Sequence, residues 1–237
     1  MKSQNSVEVT MIDHALAYID KPTNWRLCKL RPNSKAPILA EWNSPELTVG
    51  TPETARIAWA DAKHGIGLVH EASSTGALDI DSVEWAAYVF AEFGIDFNAL
   101  LEGYPRIKSR EGRDKIIFKM PETLATTKLV WPKMVEGGKP ITVFEFRAKG
   151  VQDVLPPSIH PDTMQPYEWA VSPFDFPEGI PEAPDAILTI WKNWADFKPQ
   201  FEAVCPWIVE KPVYPSIPSR RVGKSDSSII DKFNDAH

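Results

Sequence analysis

Cysteine is scarce, long apolar runs are missing, and positive charge is not in excess; each lack removes a class of protein. Cys28 and Cys205 are the only cysteines in 237 residues, too few for a multi-cysteine zinc site. Both are expected as buried thiols in a reducing compartment. No apolar run approaches the ~20 residues that cross a bilayer, and the opening Met1-Lys-Ser-Gln-Asn-Ser-Val-Glu8 has no apolar signal region. A cytoplasmic location with no membrane partner is the expectation. A net charge of −6 argues against a general nucleic-acid coat protein. His14, His64 and His70 do not have metal-ligand spacing, and there are no internal repeats.

What is present is more informative. The charge is uneven: Arg106, Lys108, Arg110, Arg113, Lys115 and Lys119 stand against only Glu111 and Asp114, a local +4 that leaves −10 for the rest. Proline is abundant, 22 residues, many of them after position 156, which predicts extended, looping chain toward the C-terminus. The length suits one good-sized domain plus an appendage.

The stretch around which the rest is organised is Leu78-Asp79-Ile80-Asp81-Ser82. Strand side chains alternate faces, so Asp79 and Asp81 point one way while Leu78 and Ile80 enter a core. Two like charges on one face of a strand are costly unless something positive covers them. A divalent cation serves, because hard carboxylate oxygens at neighbouring same-face positions can both reach it. The plainer reading makes Asp81 or Ser82 a helix cap with Glu84 as its box partner, but this leaves Asp79 unexplained. In Ile141-Thr-Val-Phe-Glu-Phe-Arg147 the alternation puts Glu145 and Arg147 on one face and Phe144 and Phe146 on the other. Glu145 is either a solvated partner of Arg147 or a third carboxylate for two divalent ions that clamp a triphosphate.

The basic stretch Lys108-Ser-Arg-Glu-Gly-Arg-Asp-Lys115 is either a solvated hairpin or a phosphate grip. In the second case Arg113 acts through its planar fork and Lys115 as a point charge. Ser158-Ile-His160 follows a Pro-Pro pair. It lacks both an orienting acid and a glycine elbow, so a nucleophile–base pair is not expected there; packing or a phosphate contact is. Helices are predicted over about 7–20, 51–64 (opened by Thr51-Pro52 and closed by Gly65), 82–93 and 185–197. Strands are predicted at 25–30, 65–70, 77–81, 116–118, 141–147 and from 152. Residues 211–228 read as a Pro/Ser-rich linker and Ile229–Phe233 as the opening of a further helix, so the chain is expected to be the front of a longer protein.

Taken together, Lys35-Ala-Pro with Trp42, Gly65-Ile-Gly-Leu-Val69, Ala77-Leu-Asp-Ile-Asp81, Ser109-Arg-Glu-Gly-Arg-Asp-Lys115, Phe144-Glu-Phe-Arg147, and Val154-Leu-Pro-Pro-Ser-Ile-His-Pro161 with Tyr167-Glu-Trp169 resemble the primase-polymerase domain of the archaeo-eukaryotic primase superfamily. The likeness is to the branch at the front of phage and plasmid replication proteins. It covers about Trp25 to Trp169 and rests on the order and spacing of all six segments. It implies an α+β fold, a small α/β module packed on an RNA-recognition-like antiparallel sheet with a catalytic cleft between them. By the same resemblance, Asp79, Asp81 and Glu145 are the catalytic acids that bind Mg²⁺ or Mn²⁺. Ser109, Arg113, Lys115, Arg147, Ser158 and His160 are the expected nucleotide contacts. The family's middle motif usually carries a histidine; here Asp114 or Lys115 stands in its place.

The implied activity is template-directed nucleotidyl transfer, as DNA primase or polymerase, with NTP or dNTP and a single-stranded DNA template or primer-template as partners. A helicase or other replication domain is expected beyond residue 237. The expected layout is a catalytic domain over 1–183, a helical extension over 184–210, and the linker with its helix start over 211–237. Two other functions fit the same residues: a non-catalytic replication-initiation module that binds DNA, and a metal-dependent nuclease.

Overall fold

Local capping rules set the first elements of the computed structural model, which describes residues 9–61 and 63–207. Thr10 opens α1 (Met11–Ile19) through a reciprocal box: its hydroxyl accepts from the Asp13 N–H, and the Asp13 carboxylate accepts from the Thr10 N–H. Thr51 opens α2 (Pro52–Ala58) with proline in the first turn. This helix ends well before His64. Trp59 turns inward, becomes fully buried, and donates its indole N–H to the Gly65 carbonyl at 3.2 Å. Gly65 therefore begins a strand instead of closing the helix.

Between these helices lies β1 (Leu27–Leu30), and after them β2 (Gly65–Val69), which is buried at every position. A single turn, α3 (His70–Ser73), leads to β3 (Thr75–Ile80). Ser82 then caps α4 (Val83–Glu92) by accepting from the Trp85 N–H, with no box partner at Glu84. Asp96 caps a short α5 (Phe97–Gly103). The basic segment is a hairpin of β4 (Arg106–Arg110) and β5 (Arg113–Lys119); its turn needs the positive φ that Gly112 supplies at +73°. β6 (Thr127–Trp131), β7 (Ile141–Arg147), β8 (Gln152–Leu155) and β9 (Glu168–Val171) follow. The predicted 185–197 helix divides at Asn193 into α6 (Asp185–Lys192) and α7 (Trp194–Ala203).

All strand pairing within the two sheets is antiparallel. One sheet runs β1-β2-β8, the other β6-β7-β3-β5-β4-β9. The larger sheet packs on both faces. On one side Leu78, Ile80, Ile116, Phe118, Leu129, Phe144 and Phe146 meet α4 to α7. On the other, Ile107 and Ile117 join Trp25, Leu27, Ile66 and Leu155 of the smaller module. From α6 and α7, Ile187, Ile190, Trp191 and Phe201 all lie in the helix-side core, which is continuous across residue 183. Both cysteines are free and buried. Residues 211–237, expected as linker and helix start, lie outside the described residues.

Candidate active site

β3 is a central strand, so each of its residues has two neighbours. Asp79 stands opposite Lys115 of β5 on one side and Glu145 of β7 on the other. Directly opposed residues of an antiparallel pair share a face, which puts all three side chains on the face away from Leu78 and Ile80. Asp81 lies just past the end of β3, with its N–H bonded to the Val143 carbonyl at 3.1 Å. A cation attends each acid. Lys115 Nζ is 3.7 Å from Asp79 Oδ2, Arg147 Nη1 is 3.1 Å from Glu145 Oε1, and Arg113 Nη1 donates to Asp81 Oδ1. The carboxylates are thus drawn to separate cations. Among the described residues no three His, Cys, Asp or Glu side chains converge as a metal-binding group. Burial raises the Asp79 pKa above the usual carboxylate value, a tendency that Lys115 opposes.

Beside these acids lies a small cavity of about 100 Å³ whose lining comes from both modules. Asp79, Asp81, Arg110, Arg113 and Lys115 come from the large sheet and its flank; Lys35, His160 and Tyr167 come from the other side. His160 Nδ1 accepts from the backbone N–H of Asp162 at 3.1 Å and of Thr163 at 3.4 Å. In the neutral ring the proton therefore sits on Nε2. Burial, with Lys35 next in effect, holds the His160 pKa below its ordinary value and favours that neutral form.

Residues 15–186 match the family described as bifunctional DNA primase/polymerase, N-terminal. The chain belongs to that family. Membership implies a DNA primase/polymerase-type function, nucleotidyl transfer in general, with DNA and nucleotides as substrates; divalent metals are the family's usual cofactors. No curated protein gives a significant match. Among the described residues no helix is long and apolar enough to cross a membrane.

The remaining expected contacts of this primase/polymerase chain fall in different places. Lys115, not Asp114, faces the acids. Asp114 is on the alternate face, where its Oδ2 lies 3.4 Å from Arg106 Nη1. Ser109 lies on β4 at a bulge in its pairing. The Ser158 hydroxyl is committed to β2: it accepts from the Ile66 N–H at 2.8 Å and is 2% exposed. The basic segment is not a free patch, because Arg106, Arg110, Arg113, Lys115 and Lys119 each face a carboxylate.

Two polar residues at the centre of the site are missing from the sequence-based expectation. Asp153 of β8 is 2% exposed, and its Oδ1 accepts from Lys115 Nζ at 2.6 Å and from Arg147 Nε at 3.0 Å. Its Oδ2 accepts from His70 Nε2 at 2.8 Å. Burial works to raise the Asp153 pKa, but Lys115, Arg147 and the His70 hydrogen bond outweigh it and hold the carboxyl well below the usual range. Asp153 in turn raises the Arg147 pKa. A sequence signal did exist: aspartate is as unexpected in Gln152-Asp-Val-Leu155 as in the strand of Asp79.

Proposed function

We propose that the chain is a template-directed nucleotidyltransferase of phage- or plasmid-type DNA replication. It joins a nucleotide from NTP or dNTP to a 3′-hydroxyl on a DNA template. The bond from the 3′-oxygen to the α-phosphorus forms as the α–β bridging bond breaks; the hydroxyl proton passes to water and pyrophosphate leaves. The observation that carries this reading is the pairing of Asp79 with Glu145 on one sheet face, beside a cavity lined by Lys35, Arg110, Arg113 and Lys115.

The donor set suits a hard divalent cation. Asp79, Asp81 and Glu145 offer only carboxylate oxygens, with side chains 31%, 23% and 22% exposed and therefore open to exchange of partners. These are the residues that would hold Mg²⁺ or Mn²⁺, which when bound offsets phosphate charge and draws the two substrates together. Arg113 and Lys115 take the triphosphate charge, Arg113 with a planar fork and Lys115 with a point charge. His160 supplies a neutral N–H donor from Nε2, and Arg147 orients Glu145. The cavity between the small module and the sheet is the proposed catalytic cleft, and the sheet is the RNA-recognition-like element of the fold.

A labelled primer-template incubated with Mn²⁺ and nucleotides tests the proposal. Extension by the wild type and its loss in Asp79→Ala, with the melting temperature retained, are the expected results. Shortening of the primer points to a nuclease. Full extension by Asp79→Ala overturns the assignment of this residue. DNA binding that is steeply salt-dependent but without extension, and indifferent to the three acids, points to a non-catalytic module. The pairing of the basic hairpin with acids disfavours that last outcome.

A further inference from the structure

Along the sheet face, acid and base alternate in one chain of contacts: Asp79, Lys115, Asp153, Arg147, Glu145. The distances are unequal. Lys115 Nζ is 2.6 Å from Asp153 but 3.7 Å from Asp79, so its principal partner is the buried acid. Arg147 divides its donors three ways: Nε to Asp153 at 3.0 Å, Nη1 to Glu145 at 3.1 Å, and Nη2 to the Gln152 carbonyl at 3.0 Å. The far oxygen of Asp153 is fixed as well. His70, which is fully buried, holds it from Nε2, and Thr75 holds the His70 ring at Nδ1 at 2.9 Å. With both oxygens engaged the carboxylate cannot rotate away from Lys115.

We infer that Asp153 is a positioning residue which acts through Lys115 and keeps its ammonium at the nucleotide cavity when Asp79 changes partners. The inference rests on the polymerase reading above for the identity of the ligand, a nucleoside triphosphate. A buried carboxylate is tolerated only when it is fully paired, and here the pairing is with the two cations that flank the proposed metal-binding acids. Lys115 has three donors and spends one on Asp153, so the others remain for phosphate oxygens. Were Asp79 its only anchor, Lys115 would lose its position whenever Asp79 took a metal ion. Asp153 belongs to the smaller sheet and its two cations to the larger one, so the same contacts tie the two walls of the cavity together.

The test is a double-variant cycle on the whole chain, read by nucleotide KM and kcat in primer extension. In parallel, a fluorescent deoxyadenosine triphosphate is titrated with Mn²⁺ and no primer. Asp153→Asn keeps the shape and removes the charge. It is expected to raise KM and the probe Kd about tenfold or more and to change kcat less, because an interaction made equally in the ground and transition states moves KM. Lys115→Met is expected to do the same. Asp153→Asn added to Lys115→Met is expected to contribute less than a further twofold, since Asp153 would act through a group already removed. His70→Gln loosens only the far oxygen and is expected to raise KM by a smaller factor; it decides the matter if Asp153→Asn does not fold.

A cooperatively melting Asp153→Asn protein with KM and Kd within twofold of wild type overturns the inference. So does full additivity with Lys115→Met, or an unchanged KM in His70→Gln when Asp153→Asn fails to fold. A wild type that binds the probe but never extends a primer refutes the polymerase reading alone, and the Kd series still judges Asp153. A wild type that does not bind the probe refutes both.

Discussion

Asp79 of β3 and Glu145 of β7 are direct cross-strand partners on one face of a continuous antiparallel sheet. Like charges so placed destabilise a sheet by roughly 0.2–1 kcal/mol relative to neutral pairs. The fold therefore retains an arrangement that stability alone would not select, and its use has to be sought in what the two acids bind.

Glu145→Gln separates these two demands. It removes the repulsion but also the ion pair with Arg147, so the melting temperature is expected to stay within about 2 °C of wild type or to rise. Primer extension is expected to drop by about 100-fold or more. Thermal melting and extension assays on the same preparation check both; undiminished extension removes Glu145 from the site.

Ser158→Ala should behave in the opposite way. The Ile66 N–H would lose its 2.8 Å acceptor inside the core, which costs about 1–3 kcal/mol for an unsatisfied buried donor. Urea unfolding should show that loss while the nucleotide KM stays at the wild-type value. A raised KM with unchanged stability would return Ser158 to the nucleotide site.

A chain that stops at residue 183 lacks α6 and α7. Trp191 stacks on Phe146 with ring centroids 4.9 Å apart, and the Phe201 carbonyl accepts the Trp131 indole N–H at 2.9 Å. The 1–183 chain is expected to lose its cooperative melt and to bind hydrophobic dyes, whereas the 1–207 chain keeps a sharp transition. Equal melting of the two would make the helical pair dispensable.

Burial pushes the Cys28 thiol up to about 12. An unfolded thiol titrates near ~8.5, so between these values the unfolded chain gives up a proton that the folded chain keeps. Stability from this group is complete below about pH 8.5 and is lost as pH rises toward 12, by at most about 1.4 kcal/mol per pH unit. Denaturant midpoints at pH 8 and pH 10, compared with those of Cys28→Ala, should show the variant losing less over that interval. A thiol reagent should leave Cys28 unmodified in the folded protein at pH 8.

The parts of the fold legible in the sequence are those with local causes. Thr51 caps its helix through a contact three residues away, and β7 declares itself through the alternation of Phe144 and Phe146 with Glu145 and Arg147. The Asp79 face followed from the same period-two rule. Short elements were lost: α5 has seven residues and β6 five, too few for a period to show. Asp153 was lost for another reason. Its significance lies in Lys115, 38 positions earlier, and His70, 83 positions earlier, and no local pattern reports such partners. The predicted 51–64 helix begins as expected but stops at Ala58, because Trp59 is claimed by the core, a tertiary demand that overrides propensity.

Among the described residues, the apolar core of the smaller module meets the large sheet at β4, β5 and β9, by way of Ile107, Ile117 and Trp169. Toward β6 the same face is open enough for Lys128, opposite Glu145, to be exposed. The cover thus thins beyond β3: Asp153 of the smaller sheet still meets Arg147 of β7 at 3.0 Å, while Lys128 on the next strand is left bare to solvent, so that rim is the side from which the charged row is reached.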